Sequence, residues 1–193
     1  REQALAEAEA AKESPAAIAG VKLLALTGAR LSEIVKLKHS EVDRRAHALA
    51  LADSKEAESI RPLAAAAQAV LDGLPDALKP AGCKYLLPGD DGKRPYGGMP
   101  KAIRRIVNRK PELAGVTAHV LRHSFGSLAD DLGYTEATVA AMLGHRKGTV
   151  TAGYIHKLDA ALVAAADRVG ALIEAAMAGK VKEVQILDFP KTA

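Results

Sequence analysis

The chain contains very little cysteine and few aromatic residues. Among its 193 residues there is one cysteine, Cys83, and no tryptophan, and aromatic residues make up 3% of the total. A single cysteine cannot form a disulfide within the chain, and such usage is typical of a reducing cytosol. We interpret Cys83 as a small apolar residue rather than a nucleophile. The apolar residues, 49% of the chain, are rich in alanine, which favours packed helices.

The sequence also lacks a long apolar run. No segment approaches the roughly 18 apolar residues of a membrane span, and the N-terminal stretch "REQALAEAEAAKES" is too charged for a signal peptide. We therefore expect a cytoplasmic protein without a membrane partner. The formal net charge of +4 permits a polyanionic partner but does not require one.

Capping and stop signals predict most of the helices. Ser14 and Pro15 are typical of a helix start, and Gly28 of its end. Further helices are predicted from Leu31, from about Ala64 to Leu71, over "MPKAIRRIVNRK", after Thr117, from Thr135 to Gly144, and from Asp159 to near Gly179.

Strand signals are fewer. "HALALA" and "ESIRPL" alternate around the polar stretch "DSKEAE" and predict a hairpin. "KYLLP" is predicted to be a short buried strand, and "HSEVD" a turn. The expected fold class is α+β, mainly helical, with a small antiparallel β-sheet.

Two histidines and an arginine occur together in "AHVLRHSFGS". On a helical wheel Leu121, Phe125, Leu128 and Leu132 form one stripe, which we expect to face the core. The opposite side carries four residues, His119, Arg122, His123 and Gly126. Gly126 there leaves room for close approach to the backbone.

Three interpretations of this basic face compete. It can be a solvated helix surface, a metal site or an anion site. A metal site would use His119 and His123, but the usual glutamate between them is absent, Arg122 would repel a cation, and no third ligand is evident. An oxyanion such as phosphate suits the arginine and the imidazoles better.

Two other stretches favour the anion site. "LTGARLSEIVKL" places Arg30 just after a helix-ending glycine, where Glu33 can hold its guanidinium or the local backbone. "LGHRKGTVTAGYIH" places His145 after another helix stop and Tyr154 nine residues later. Taken singly, Arg30 is also explained as a surface arginine and Tyr154 as a packing residue.

The helix predicted over "MPKAIRRIVNRK" is basic and amphipathic. Ile103, Ile106 and Val107 form its apolar side. The residues expected to face outward, as candidates for contact with DNA phosphates, are Lys101, Arg104, Arg105 and Arg109. A solvated face is the alternative for each of them.

Together, "LTGARLSEIVKL", "HVLRHSFGS" and "LGHRKGTVTAGYIH" resemble the motifs of the tyrosine recombinase or phage integrase family, in the family's order. By position, the resemblance implies six catalytic residues: Arg30, Lys55, His119, Arg122, His145 and Tyr154. Tyr154 would be the nucleophile, and Lys55 the hairpin lysine of the family, although its flanking residues match loosely. The resemblance implies no metal and no cofactor.

The resemblance also predicts the organisation of the protein. Residues 1–13 are expected to end a linker from an N-terminal DNA-binding domain, residues 14–179 to form the catalytic domain, and residues 180–193 to form a tail. The tail can add a strand to another subunit or fold back on its own. The implied partner is double-stranded DNA, bound by a homotetramer at the bacterial nucleoid, with a monomer for the chain alone.

The function implied is site-specific cleavage and rejoining of DNA through a 3′-phosphotyrosyl intermediate, for integration or excision of a mobile element. Two alternatives stay open at this point. One is a type IB topoisomerase-like enzyme, which uses similar chemistry to relax supercoils. The other is a DNA-binding or assembly module that keeps the fold without catalysis.

Overall fold

The computed structural model describes residues 2–54, 57–144 and 159–180. The helices in this part of the chain are α1 (Glu2–Ala10), α2 (Pro15–Thr27), α3 (Leu31–Val35), α4 (Ala65–Asp72), α5 (Met99–Val107), α6 (Ala118–Asp131), α7 (Glu136–Leu143) and α8 (Ala160–Met177). The strands are β1 (Val42–Asp43), β2 (Ala48–Ser54) and β3 (Ala57–Pro62). The expected fold class, mainly helical with a small antiparallel sheet, is confirmed.

Helix α2 is the centre of the fold. Its sequence, PAAIAGVKLLALT, is apolar on almost every side, and such a helix is stable only when other elements surround it. Helices α1, α3, α4, α5, α6 and α8 all contact α2. Its buried alanines and glycine leave room for these neighbours to approach closely.

The predicted hairpin is confirmed and forms two of the three strands of the sheet. Strands β2 and β3 pair antiparallel with Leu49 opposite Arg61, and β1 pairs with β2 through Val42 and Leu49. Strand β1 lies within "HSEVD", so the turn predicted there is wrong for the last two residues. His39–Glu41 form a single 3₁₀ turn before it.

The strand predicted over "KYLLP" is wrong. Tyr85 and Pro88 each form only an isolated bridge, with Lys38 and Pro95 respectively. The two bridges connect to different segments, and prolines cannot donate to a continuing ladder. The apolar residues of this stretch are buried nonetheless.

Most of the predicted helix ends agree with the structure, but α5 ends at Val107 and does not continue to Lys110 as predicted. The side chains of Thr117, Thr135 and Asp159 accept hydrogen bonds from the first turns of α6, α7 and α8. Gly28 and Gly144 adopt left-handed conformations after α2 and α7. Ser14 occupies the N-cap position of α2, but its side chain makes no capping hydrogen bond.

Helix α1 packs against the rest of the domain. Leu5 and Ala8 are buried, and α1 contacts both α2 and α5. Two ion pairs connect its exposed side to the rest of the domain: Glu7 with Lys110 at 2.7 Å and Glu9 with Lys22 of α2 at 3.1 Å.

A third and stronger ion pair follows α1. Arg105 of α5 donates from Nη2 to Glu13 Oε1 at 2.6 Å and from Nε to Oε2 at 3.0 Å. Such a two-point contact is more specific than an ordinary surface pair. Donation from Arg105 lowers the pKa of Glu13, burial acts in the opposite direction, and the net shift is downward.

No helix in the described ranges is long and apolar enough to cross a bilayer.

We expect Arg105→Ala to loosen α1 while the rest of the domain stays folded. The substitution removes both hydrogen bonds to Glu13, so amide hydrogen exchange measured by mass spectrometry should accelerate in residues 2–12. Lys101→Ala, an exposed change on the same helix, is the control and should leave exchange in α1 unchanged. Equal acceleration in both variants would contradict the role of this ion pair.

Acid should have the same effect on the unsubstituted protein. A carboxylate with a lowered pKa contributes stability that is complete above its ordinary value of about 4.3 and disappears as the pH falls through the lowered value. Protection of α1 should therefore be constant between about pH 7 and pH 5 and be lost below about pH 4. Loss that is already complete at about pH 6 would be inconsistent with the lowered pKa of Glu13.

Candidate active site

Helix α6 is rotated relative to the sequence prediction. Its buried residues are Arg122, Phe125 and Ala129, whereas Leu121 and Leu128 are only partly buried. The prediction that Arg122 faces outward is therefore wrong. Burying a guanidinium is costly unless its donors find acceptors, so its partners explain the rotation.

Arg122 connects the ends of two helices. It donates from Nη1 to the carbonyl of Gly28 at 2.7 Å and from Nη2 to the carbonyl of Leu143 at 2.9 Å. Gly28 directly follows α2, and Leu143 is the last residue of α7. Carbonyls at helix C-termini lack intrahelical partners and carry partial negative charge. A cation that reaches both of them stabilises the junction.

Gly28 brings α2 into close contact with α6 and α7. Its φ of 59° lies in the left-handed region. A Cβ atom there would stand 2.9 Å from the ring of Phe125 and 2.8 Å from Leu143 Cδ2. Both the backbone conformation and the available space therefore require glycine.

Gly126 was expected to leave room for approach to the backbone of α6. The nearest side chains to its position are Leu143 and Val139 of α7, so in this structure a neighbouring helix uses that room.

Arg30 is the N-cap residue of α3, two positions after Gly28, and Glu33 binds it as predicted. Glu33 Oε2 accepts from the Arg30 backbone N–H at 2.6 Å, and Glu33 Oε1 accepts from Arg30 Nη1 at 3.2 Å. The Arg30 side chain retains 21% exposure. Its backbone is thus fixed by a capping interaction while its guanidinium still reaches solvent.

A second arginine, Arg61, which was not among the site residues predicted from the sequence, also binds Glu33. Arg61 of β3 donates from Nη1 to Oε2 at 2.8 Å and from Nη2 to Oε1 at 2.5 Å, and both side chains are 2% exposed. Burial alone raises the pKa of Glu33, but hydrogen bonds and charge from Arg61, with donation from Arg30, give a net decrease. The strand period places Arg61 on the same face as buried Leu63. The sequence alone did not indicate this, because Arg61 alternates with the apolar Ile60, and only the structure shows that the face of Arg61 is buried.

Arg30, His119 and Arg122 line one cavity of about 660 Å³. Arg104 of α5 and the first residues of α6 line it too. The positive end of the α6 dipole adds to the charge of the arginines. No carboxylate belongs to the lining contributed by the described residues. The cavity is therefore suited to an anion.

His119 and His123 contact each other at the edge of this cavity. Their Nε2 atoms are 2.8 Å apart and their rings meet edge to face. A hydrogen bond between two imidazole nitrogens needs one donor and one acceptor, and the tautomers decide which ring donates. In residues 2–54, 57–144 and 159–180, no three His, Cys, Asp or Glu side chains form a group that could hold a metal ion.

The four basic residues predicted to face outward from α5 differ in their surroundings. Lys101 and Arg104 are exposed, as expected. Arg105 is engaged by Glu13. Arg109 lies in the turn that follows α5, where it is half-buried and its Nε is buried without a hydrogen-bond partner. Contact of these residues with DNA phosphates stays a prediction.

Three of the predicted catalytic residues, Lys55, His145 and Tyr154, lie outside the described residues. The structure does place the elements next to them. Lys55 belongs to the segment between β2 and β3, and His145 directly follows Gly144 at the end of α7.

Comparison with known proteins gives a consistent result. The profile of the phage integrase family matches residues 2–161. Tyrosine recombinase XerD of Rhizobium meliloti (strain 1021) is 30% identical over 165 residues, which cover 80% of this chain and 53% of XerD. Prophage integrase IntF of Escherichia coli (strain K12) is 30% identical over 137 residues, which cover 69% of this chain and 29% of IntF. The chain thus spans about half of XerD and less of IntF.

Two solved structures share the fold. The crystal structure of XerA recombinase superposes with a TM-score of 0.63 at 25% identity, covering 84% of this chain and 60% of XerA. The integrase of the Tn1549 transposon, solved in complex with circular intermediate DNA, has a TM-score of 0.58 at 17% identity. That alignment covers 85% of this chain and 61% of the integrase chain.

Gly28→Ala should destabilise the domain by about 2–4 kcal/mol, because it adds overpacking against Phe125 and Leu143 to the cost of a left-handed backbone. Urea unfolding measures the effect. Gly133→Ala is the matched control, since Gly133 also has a positive φ, of 80°, but no atom within 4 Å of an added Cβ. It should cost about 1–2 kcal/mol, from the left-handed backbone alone. An equal loss of unfolding free energy in the two variants would show that crowding against Phe125 does not contribute to the destabilisation.

Proposed function

Because the chain belongs to the phage integrase family, we propose that it cleaves and rejoins strands of double-stranded DNA through a 3′-phosphotyrosyl intermediate. The observation that carries this proposal is the cationic cavity, in which Arg30 at the start of α3 meets His119 and Arg122 of α6. A scissile phosphate is an anion of the kind that this cavity suits. The chemistry needs neither a metal nor ATP.

In the proposed cleavage step, the phenolic oxygen of Tyr154 attacks the phosphorus and the bond to the 5′-oxygen breaks. His119 takes the phenolic proton, and Lys55 gives a proton to the departing 5′-oxygen. The products are a 3′-phosphotyrosine and a free 5′-hydroxyl. His123, in contact with His119, supports the orientation of that imidazole.

The arginines act on the phosphate. Negative charge grows on its non-bridging oxygens in the pentavalent transition state, and the guanidiniums of Arg30 and Arg122 donate to them. His145 adds a further hydrogen bond. The carbonyls that hold Arg122 and the carboxylate that holds Arg30 support this role, because they orient the donors before DNA binds.

Rejoining follows from the same intermediate. The phosphotyrosine is a phosphodiester and keeps the bond energy of the DNA linkage, so attack by a 5′-hydroxyl of another strand reverses the step. Exchange between two duplexes then integrates or excises a mobile element. We assign this work to a homotetramer on DNA, located at the bacterial nucleoid, with residues 14–179 as the catalytic domain and residues 180–193 as a tail that contacts a neighbouring subunit or its own.

The proposed DNA-binding surface extends from the cavity along α5. Arg104 lines the cavity and is exposed, and Lys101 is exposed on the same helix. Arg105 is less available because Glu13 already engages it. Arg104 and Lys101 are therefore the main phosphate contacts of α5, and Arg105 and Arg109 contribute less.

A covalent trap tests the reaction. The probe is a pool of duplexes of randomised sequence, each nicked so that the short fragment released by cleavage diffuses away and the protein stays attached. The unsubstituted protein should form an adduct that survives denaturing electrophoresis. Tyr154→Phe should form none and bind DNA equally well, because only the nucleophile is lost.

Tyr134→Phe is the matched control, since Tyr134 is a half-buried packing residue of the α6–α7 connection, and it should trap DNA normally. An adduct formed by Tyr154→Phe would exclude this nucleophile. DNA binding without any adduct from the unsubstituted protein would favour a non-catalytic module of the same fold. Plasmid relaxation without exchange between duplexes would favour a topoisomerase-like enzyme.

The salt dependence of DNA binding tests the proposed phosphate contacts of α5. Each phosphate contact that is lost should reduce the slope of log Kobs against log salt by about 0.9. Arg104→Ala should reduce it by about that amount, and Arg105→Ala by clearly less, because the Arg105 guanidinium is engaged within the protein. Fluorescence anisotropy with labelled duplexes measures both slopes. The reverse order would overturn the assignment of Arg104 as the phosphate contact.

A further inference from the structure

We infer that Arg61 is a positioning residue that acts through Glu33 to hold Arg30 in place, and to keep its charge available, for the scissile phosphate. The inference rests on the proposed function, since it concerns the same reaction. Arg61 itself is 2% exposed and does not line the cavity. It is therefore not a catalytic residue.

The Glu33 carboxylate is a bridge between the two arginines. Oε2 accepts from the Arg30 backbone and from Arg61 Nη1, at 2.6 Å and 2.8 Å. Oε1 accepts from Arg30 Nη1 and from Arg61 Nη2, at 3.2 Å and 2.5 Å. Each carboxylate oxygen accepts hydrogen bonds from both arginines. The two-point contact with the Arg61 guanidinium therefore fixes the plane of the carboxylate, and this carboxylate in turn orients Arg30.

Charge balance gives Arg61 a second effect on Arg30. If Glu33 faced Arg30 alone, the carboxylate that orients this guanidinium would also cancel its charge. With Arg61 bound to the same carboxylate, the three groups carry a net charge of about +1, since arginines stay protonated in proteins. Of the two arginines, Arg30 is the more exposed, at 21% against 2% for Arg61, so this charge is presented on the cavity side.

Packing fixes the Arg61 side chain itself. A Cβ atom on Gly144 would stand 2.1 Å from Arg61 Nε and 2.6 Å from Cζ, so the guanidinium lies directly against the glycine backbone at the end of α7. Nε also donates to Ser59 Oγ at 3.3 Å. A lysine there would keep the charge but lose the planar, two-point contact with Glu33.

The test compares Arg61→Met and Arg61→Lys with the unsubstituted protein. Single-turnover cleavage is measured at saturating concentrations of the nicked duplexes described above, at a temperature where thermal melting shows each variant folded. A misplaced transition-state donor lowers the rate and spares binding, so we expect Arg61→Met to cleave about tenfold to a hundredfold more slowly. Its Kd for DNA should change by no more than about twofold. Arg61→Lys should recover part of the lost rate.

Two controls separate positioning from folding. Arg44→Lys alters an exposed ion pair with Asp72 and should cleave normally. In an Arg30→Ala background, Arg61→Lys should cause no further loss of rate, because the group through which Arg61 acts is gone. A loss of the same factor in both backgrounds would overturn the inference and indicate a purely structural residue.

The outcomes also distinguish this inference from the proposed function. If the unsubstituted protein forms no covalent adduct, the proposed function fails, and the inference fails with it. If it forms the adduct and both Arg61 variants cleave at the normal rate, the inference alone is wrong. If Arg61→Met does not fold, the cleavage rates of Arg61→Lys in the unsubstituted protein and in the Arg30→Ala variant provide the same test.

Discussion

The arrangement of the site depends on one buried guanidinium. Arg122 binds the carbonyls at the C-terminal ends of α2 and α7 and so joins two hydrophobic clusters of the described residues, one around α2 and the other around Phe125. Leaving helix-end carbonyls buried without donors would cost on the order of 1–3 kcal/mol each. Arg122 also lines the cavity, together with His119 and the residues that begin α6. One buried side chain therefore takes part both in the packing of α6 and in the site.

A second constraint acts on Arg30, which also lines the cavity. Glu33 binds Arg30 and Arg61 with the same two oxygens, and a buried carboxylate is tolerated only when such partners compensate its charge. This carboxylate connects α3 to the hairpin, while the guanidinium of Arg61 lies against Gly144 at the end of α7. The elements that flank Lys55 and His145 are thus packed around the group that orients Arg30. Orientation of this kind before substrate binding is what electrostatic stabilisation of a transition state requires.

Features that depend on contacts between residues close in sequence were predicted correctly, whereas features that depend on distant partners were not. Helix ends at Gly28, Thr117, Thr135 and Asp159 were predicted correctly, because caps and stops depend on hydrogen bonds within about four residues. The contacts of Glu33 with the backbone and side chain of Arg30 were anticipated for the same reason. The strand over "KYLLP" was predicted wrongly, because pairing depends on a partner strand that a short apolar run does not specify.

The sequence by itself determined the local elements and the three motifs that place the chain in its family. Only the tertiary structure decided which face of α6 is buried, that Glu13 engages Arg105, and that Arg61 shares Glu33 with Arg30. Arg61 and Glu33 are separated by 28 positions, and Arg122 and Gly28 by 94. At such separations along the sequence, the acceptor that a buried arginine binds depends on which groups the tertiary packing places next to it. Neither periodicity nor capping rules contain that information, and it is set by how the helices and the hairpin close around α2.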